Sequence, residues 1–194
     1  NTVRTLNVVD GTLLKTLSGH PGWVGELDLS SDGVTLASAS GDRTIKLWQL
    51  SNNVSINLQG HVAPVSKVQF SHDGRKVVTS SPDRTVKIWN RQGELLHSLN
   101  GHVDRILDAV LSPDGKFIVS IGSDETANLW SQDGKLVSVM AVPKSFRADV
   151  EFSPNNQVFA TAIDGVVELW NTKGERLHAL IGHTSEVTDV AFSP

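Results

Sequence analysis

The sequence predicts an all-β fold of repeated four-stranded antiparallel units, on three observations. Trp48, Trp89, Trp130 and Trp170 stand 41, 41 and 40 residues apart, each closing a β-rich run such as Arg43-Thr-Ile-Lys-Leu-Trp48. Gly-His pairs at Gly19-His20, Gly60-His61 and Gly101-His102 place a histidine 28 residues before the first three tryptophans, and the pair returns at Gly182-His183. Turn sequences recur in step: Ser31-Asp-Gly33, His72-Asp-Gly74, Pro113-Asp-Gly115 and Pro154-Asn-Asn156. Asp-Gly and Asn-rich turns join antiparallel strands. A period near 40 with four strands per unit is the signature of a propeller blade. No stretch carries helical periodicity.

The elements follow in order. Residues 2–7 resemble the third strand of a unit, with Leu6 where the tryptophan should stand, and 12–17 make its fourth strand, so 1–18 is a partial leading unit. Complete units span about 19–59, 60–100, 101–141 and 142–181; in the first, strands are expected near 23–30, 34–40, 43–49 and 54–59. Second strands such as Leu36-Ala-Ser-Ala-Ser40 carry small residues suited to close face-to-face packing of sheets. A trailing unit, 182–194, is expected to open with a strand from Val187 to Phe192. Ending inside a hairpin leaves an apolar edge. The expectation is therefore an excerpt of a ring of about seven blades or a longer array, with self-association through the incomplete blade edges as the alternative.

Composition narrows function. The net charge is −4 and no Lys/Arg cluster occurs, which disfavours nucleic-acid binding. No apolar stretch approaches the ~18 residues that span a bilayer, so no membrane association is expected. The chain has no cysteine, which excludes disulfides and thiolate chemistry and fits a reducing, cytoplasmic setting. Neither a cofactor nor a metal site is expected.

The Gly-His marker, the Asp-containing turn and the strand-ending Trp together resemble the WD-repeat β-propeller family over essentially the whole chain. One departure is that the tryptophans are followed by Gln49, Asn90, Ser131 and Asn171 rather than aspartate. The resemblance implies a hydrogen-bonded tetrad inside each blade: His20, Ser38, Asp42 and Trp48; His61, Thr79, Asp83 and Trp89; His102, Ser120, Asp124 and Trp130. The fourth blade offers Thr161, Asp164 and Trp170, with Pro143 in the histidine position. The hydroxyl positions 38, 79, 120 and 161 keep the 41-residue spacing, whereas Asp164 and Trp170 come one residue early, which places a deletion in the turn after Thr161. A buried imidazole, hydroxyl and indole N–H each need a partner, and a turn carboxylate can anchor the chain of bonds. Ser, His and Asp also compose a hydrolase triad. Three near-identical copies and the lack of a Gly-x-Ser-x-Gly elbow favour a structural clamp, and separation into different blades argues against a shared metal site.

Function is then expected in residues that differ between blades. Three residues after each His marker stand Trp23, Pro64, Arg105, Phe146 and Glu186, with Arg147 beside Phe146. The family resemblance places these loops on a rim used for peptide and protein ligands, and the types match binding hot spots. Gly41, Pro82, Ser123 and Ile163 lie on the same rim, with Ile163 expected to extend an apolar patch. The competing reading has Trp23 and Phe146 merely packing on neighbouring loops. The expected function is a non-catalytic protein–protein interaction scaffold or ligand-sensing platform, with a signalling role. The alternatives are an enzyme or small-ligand site in the central channel, or an architectural spacer. Against a channel site, the inner strands read as holding only repeated or small residues.

Overall fold

The computed structural model describes residues 1–193; Pro194, the last residue of the trailing unit, lies outside the described residues. A two-stranded sheet pairs β1 (Thr2–Leu6) with β2 (Leu13–Ser18). Four four-stranded antiparallel sheets follow, each in simple chain order. Blade 1 holds β3 (Val24–Leu29), β4 (Thr35–Ser40), β5 (Thr44–Gln49) and β6 (Ser55–Gln59). Blade 2 holds β7 (Lys67–Phe70), β8 (Lys76–Ser80), β9 (Thr85–Asn90) and β10 (Leu95–Asn100). Blade 3 holds β11 (Ile106–Leu111), β12 (Phe117–Gly122), β13 (Thr126–Ser131) and β14 (Leu136–Ala141). Blade 4 holds β15 (Ala148–Phe152), β16 (Val158–Ile163), β17 (Val166–Asn171) and β18 (Arg176–Ile181).

The first hairpin of each blade is built by its sequence. In blade 1 the Ser30 hydroxyl donates to Asp32 Oδ1 at 2.6 Å and accepts the Thr35 N–H at 2.9 Å, while Asp32 Oδ1 accepts the Val34 N–H at 3.0 Å. Gly33, Gly74 and Gly115 take the left-handed position of this turn, at φ 69°, 65° and 72°. In blade 4 Asn155 replaces the aspartate and Asn156 takes the left-handed position at φ 62°. Asparagine is the non-glycine residue that tolerates it best, so the turn survives without its glycine.

Successive blades share cores. Ala37, Ala39, Ile45, Leu47 and Leu58 of blade 1 meet Val65, Val68, Phe70, Val77 and Trp89 of blade 2. Ile88 and Leu99 meet Ile118 and Trp130 in the same manner, and Leu129 and Met140 meet Phe159 and Trp170. Each repeat tryptophan is thus wedged against the preceding blade, and the alanines of β4 let the two sheets approach. Burying about 200 Å² of indole stabilises the junction by roughly 5 kcal/mol.

The inner strands are also stapled by side chains reaching one blade forward. Asp28 accepts from the Phe70 N–H at 2.5 Å, Gln69 from Leu111 at 2.8 Å, Asp108 from Val150 at 3.1 Å and Asp149 from Val190 at 2.9 Å. The last staple fixes the segment expected as a strand from Val187 to Phe192. That expectation is corrected: among the described residues the segment has no ladder partner and forms no strand. Its Val187 N–H reaches the Asp164 carbonyl at 2.6 Å, and Val187, Val190 and Phe192 pack on Ala160, Ala162 and Val167 of blade 4. Apolar packing positions it where a first strand belongs, but a ladder needs a second backbone.

Candidate functional site

In blade 1, His20 Nδ1 lies 2.8 Å from Asp42 Oδ2, His20 Nε2 lies 2.7 Å from Ser38 Oγ, and the Trp48 indole N–H donates to Ser38 Oγ at 2.9 Å. Since the indole can only donate, the Ser38 hydroxyl proton goes to Nε2, and Nδ1–H goes to the carboxylate. Blade 2 repeats the chain through Asp83, His61, Thr79 and Trp89 at 2.8, 2.8 and 2.9 Å, and blade 3 through Asp124, His102, Ser120 and Trp130 at 3.0, 2.8 and 2.9 Å. Each aspartate also holds its own turn through Thr44, Thr85 or Thr126. Burial by itself would raise Asp83, but hydrogen bonds from His61, Thr85 and the Val62 N–H outweigh it and hold the carboxyl well below the usual range. Asp42 and Asp124 are lowered by the same balance. Ser38 is fully buried and its oxygen already accepts the indole proton, so it cannot act as a triad nucleophile on an outside substrate.

Blade 4 departs from this pattern. Trp170 donates to Thr161 Oγ1 at 3.0 Å, and the chain of bonds stops there. Asp164 does not join it, which corrects its assignment to a tetrad. With the hairpin one residue shorter, Ile163 pairs directly with Val166, and Asp164 takes the left-handed turn position at φ 56°. That is the place held by Arg43, Arg84 and Glu125 in the other blades, so the Asp164 side chain is exposed. Ile163 is corrected for the same reason. As a strand residue it is 2% exposed, inside the core shared with blade 3, and offers no patch to a partner.

On the rim, Trp23 is 53% exposed and is seated on backbone: a Cβ added to Gly41 or Gly25 would collide with its ring. Phe146 is 77% exposed, and the Arg105 guanidinium lies 5.6 Å from its ring centre. Such an exposed cation–π contact contributes about 0.5–1 kcal/mol. Arg105 Nε donates to Ser123 Oγ at 3.2 Å, and a cavity of about 450 Å³ opens between Asp104, Arg105, Ser123, Lys144, Ser145 and Phe146. The structure thus joins Arg105 to Phe146, with Arg147 exposed beside them. Pro64 and Glu186 are exposed on other loops. Pro64 has its carbonyl engaged by the Ser81 hydroxyl at 2.8 Å.

The central channel corrects the reading of the inner strands. Glu26, Lys67, Asp108 and Asp149 line one cavity of about 230 Å³, together with Asp28 and Glu151. Lys67 Nζ lies 3.2 Å from Asp108 and 3.6 Å from Glu26. Burial opposes the Lys67 charge, yet Asp108 and Glu26 raise its pKa. Asp149 is pushed up to about 6 by burial and by Asp108 and Asp189, against the Val190 N–H; Glu26 and Glu151 are raised first by burial. These residues were legible as one position, since 26, 67, 108 and 149 follow the 41-residue period. All four are charged, with Lys67 set among three acids.

Four-stranded blades wedged by tryptophan and clamped by His–Ser/Thr–Asp hydrogen bonds define a β-propeller repeat protein. The chain belongs to the WD-repeat family: the family model of the WD domain, G-beta repeat, matches residues 11–49, 52–90, 93–131 and 174–194. It is 44% identical over 48 residues to Lissencephaly-1 homolog 1 of Paramecium tetraurelia, covering 25% of this chain and 12% of that protein. It is 42% identical over 45 residues to nuclear distribution protein nudF 2 of Penicillium rubens, covering 23% and 10%. Against the U4/U6 small nuclear ribonucleoprotein Prp4 of Mus musculus it is 63% identical over 35 residues, covering 18% and 7%. The matched segments therefore span about a tenth of these relatives' lengths.

Proposed function

We propose that the protein is a non-catalytic interaction scaffold that takes a peptide or protein partner on the propeller rim, in a cytoplasmic, signalling setting. The observation that carries this reading is the exposed aromatic and arginine set: Trp23 on its glycine seat and Phe146 under Arg105. Exposed large aromatics beside arginine are the anchors that dominate binding energy at interfaces. Family membership supports a scaffold in general; the rim assignment rests on these residues. The test is affinity capture with wild type and the Trp23→Ala/Arg105→Ala double variant, with folding followed by circular dichroism. Loss of partners by a folded variant supports the reading, and unchanged capture overturns it.

A small-ligand site in the central channel is the second reading, favoured by the meeting of Glu26, Lys67, Asp108 and Asp149. A ligand there would shift the side-chain NMR signal of Lys67, and a screen that leaves this signal in place refutes it.

A further inference from the structure

Blade 4 differs from the others in how its leading loop is held. In blades 1 to 3 the His–Asp pair ties the loop before the first strand to the turn between the second and third strands of the same blade. Pro143 supplies no such group, and Asp164 faces outward. Loop 142–147 is instead fastened to blade 3: the Val142 N–H donates to the Glu125 carbonyl at 3.0 Å, Lys144 lies 3.9 Å from the Glu125 carboxylate, and Phe146 lies under Arg105. The lost clamp and the rim cavity are therefore one feature, with the unclamped loop as the cavity's wall.

The charge of that wall is unusual for this chain. In a protein of net charge −4, Arg105 and Lys144 line this cavity against one acid, Asp104, and Arg147 follows Phe146 in the loop with its side chain exposed. Among the described residues neither arginine makes a salt bridge. The Lys144–Glu125 pair is long and largely exposed, so it holds the lysine weakly. Arginine forks match carboxylates in a two-pronged geometry, and the open phenyl ring offers apolar contact beside them.

We propose that this cavity binds an acidic peptide segment of a protein partner, its carboxylates on Arg105 and Arg147 and an apolar side chain against Phe146. The proposal rests on the rim reading above and specifies its partner class. The experiment selects 12-residue peptides from a random library on the protein, then measures the selected peptides by fluorescence anisotropy. Variants are Arg105→Glu/Arg147→Glu, Arg105→Ala/Arg147→Ala, Phe146→Ala and Trp23→Ala, each checked for a native melting curve.

The expected result is enrichment of Asp and Glu around an apolar residue. Affinity should fall about tenfold or more in both arginine variants, and should weaken with added salt. Peptides without acidic bias that still need Trp23 or Phe146 overturn the acidic class and leave the rim reading standing. Peptides insensitive to every variant, or no peptide above background, overturn both. A single-stranded oligonucleotide that displaces the selected peptides at equal concentration overturns the commitment to a peptide.

Discussion

Thr79→Val tests whether the buried clamp is a network or an ornament of packing. Thr79 is fully buried, and valine has nearly its shape, so the change removes one oxygen and opens no cavity. Two bonds vanish, the 2.8 Å contact with His61 Nε2 and the 2.9 Å bond from the Trp89 indole N–H. A buried polar group left without its partner costs about 2 kcal/mol, so the expected loss is about 4 kcal/mol. The internal control is Thr161→Val in blade 4, where only the 3.0 Å bond from Trp170 is lost, at about 2 kcal/mol.

For a chain of this size each kcal/mol lowers Tm by about 3 °C, giving drops of about 12 and 6 °C. Thr79→Ser should stay near wild type, since Ser38 and Ser120 hold the same place in blades 1 and 3. Urea unfolding at pH 7, followed by circular dichroism, supplies the free energies. A Thr79→Val loss no larger than that of Thr161→Val would refute the argument that the bonds beyond the indole stabilise the blade.

Three further outcomes are expected. Stability should pass through a maximum near pH 5. Asp149, held up at about 6, and the raised Glu26 and Glu151 bind protons more readily in the folded state, so stability rises as pH falls from 7 toward 5. The lowered Asp42, Asp83 and Asp124 contribute stability that is present above about pH 4 and is lost below it. For Asp149 the move from 3.8 to about 6 is nominally about 3 kcal/mol, cut to roughly 1 by its half exposure. Urea midpoints that climb steadily from pH 4 to 8 would contradict this. Gly41→Ala should lift the Trp23 ring from its seat and raise acrylamide quenching, because Trp23 is the exposed tryptophan among four buried ones. Unchanged quenching would rule out the contact. In hydrogen exchange, amides of β16 and β17 should exchange faster than those of β8, β9, β12 and β13. Equal protection would count against the tetrad as a major stabiliser.

The sequence made most of the fold legible because the repeat markers are residues whose packing leaves them no freedom. A tryptophan wedged between blades and a hydroxyl that must serve both imidazole and indole recur at fixed spacing. The strands of blade 1 start within one residue of their expected positions at 23, 34, 43 and 54. The misreadings fall where a neighbour alters the outcome. Asp164 and Ile163 were aligned by residue type, but a hairpin shorter by one residue changes which positions face out, as any register shift does. The Val187–Phe192 segment has strand composition and a place to pack, but pairing depends on a second chain segment. Convergence of Glu26, Lys67, Asp108 and Asp149 carries no repeat marker in the sequence, because the position reads Glu, then Lys, then Asp twice.

That contrast orders the molecule. A position that meets another blade is constrained by the neighbour's surface, and Trp48, Trp89, Trp130 and Trp170 are alike because each fills the same gap. A position that faces the channel or the rim fills no such fixed gap, even where Asp108 and Asp149 reach a neighbouring backbone, so the channel series reads Glu, Lys, Asp, Asp and the rim series reads Trp, Pro, Arg, Phe. Blade 4 joins the two regimes. Without a histidine at 143 its loop is no longer tied to its own blade; it leans on blade 3 and brings Phe146 under Arg105. The blade that lacks the clamp is thus the one whose leading loop walls the rim cavity. Restoring the clamp, with histidine at 143 and the missing turn residue reinserted, should stabilise blade 4 while separating Phe146 from Arg105. If the clamp forms, as a 2.8 Å His–Asp contact in a structure of the variant, and the Arg105–Phe146 contact persists unchanged, then loss of the clamp did not create the cavity.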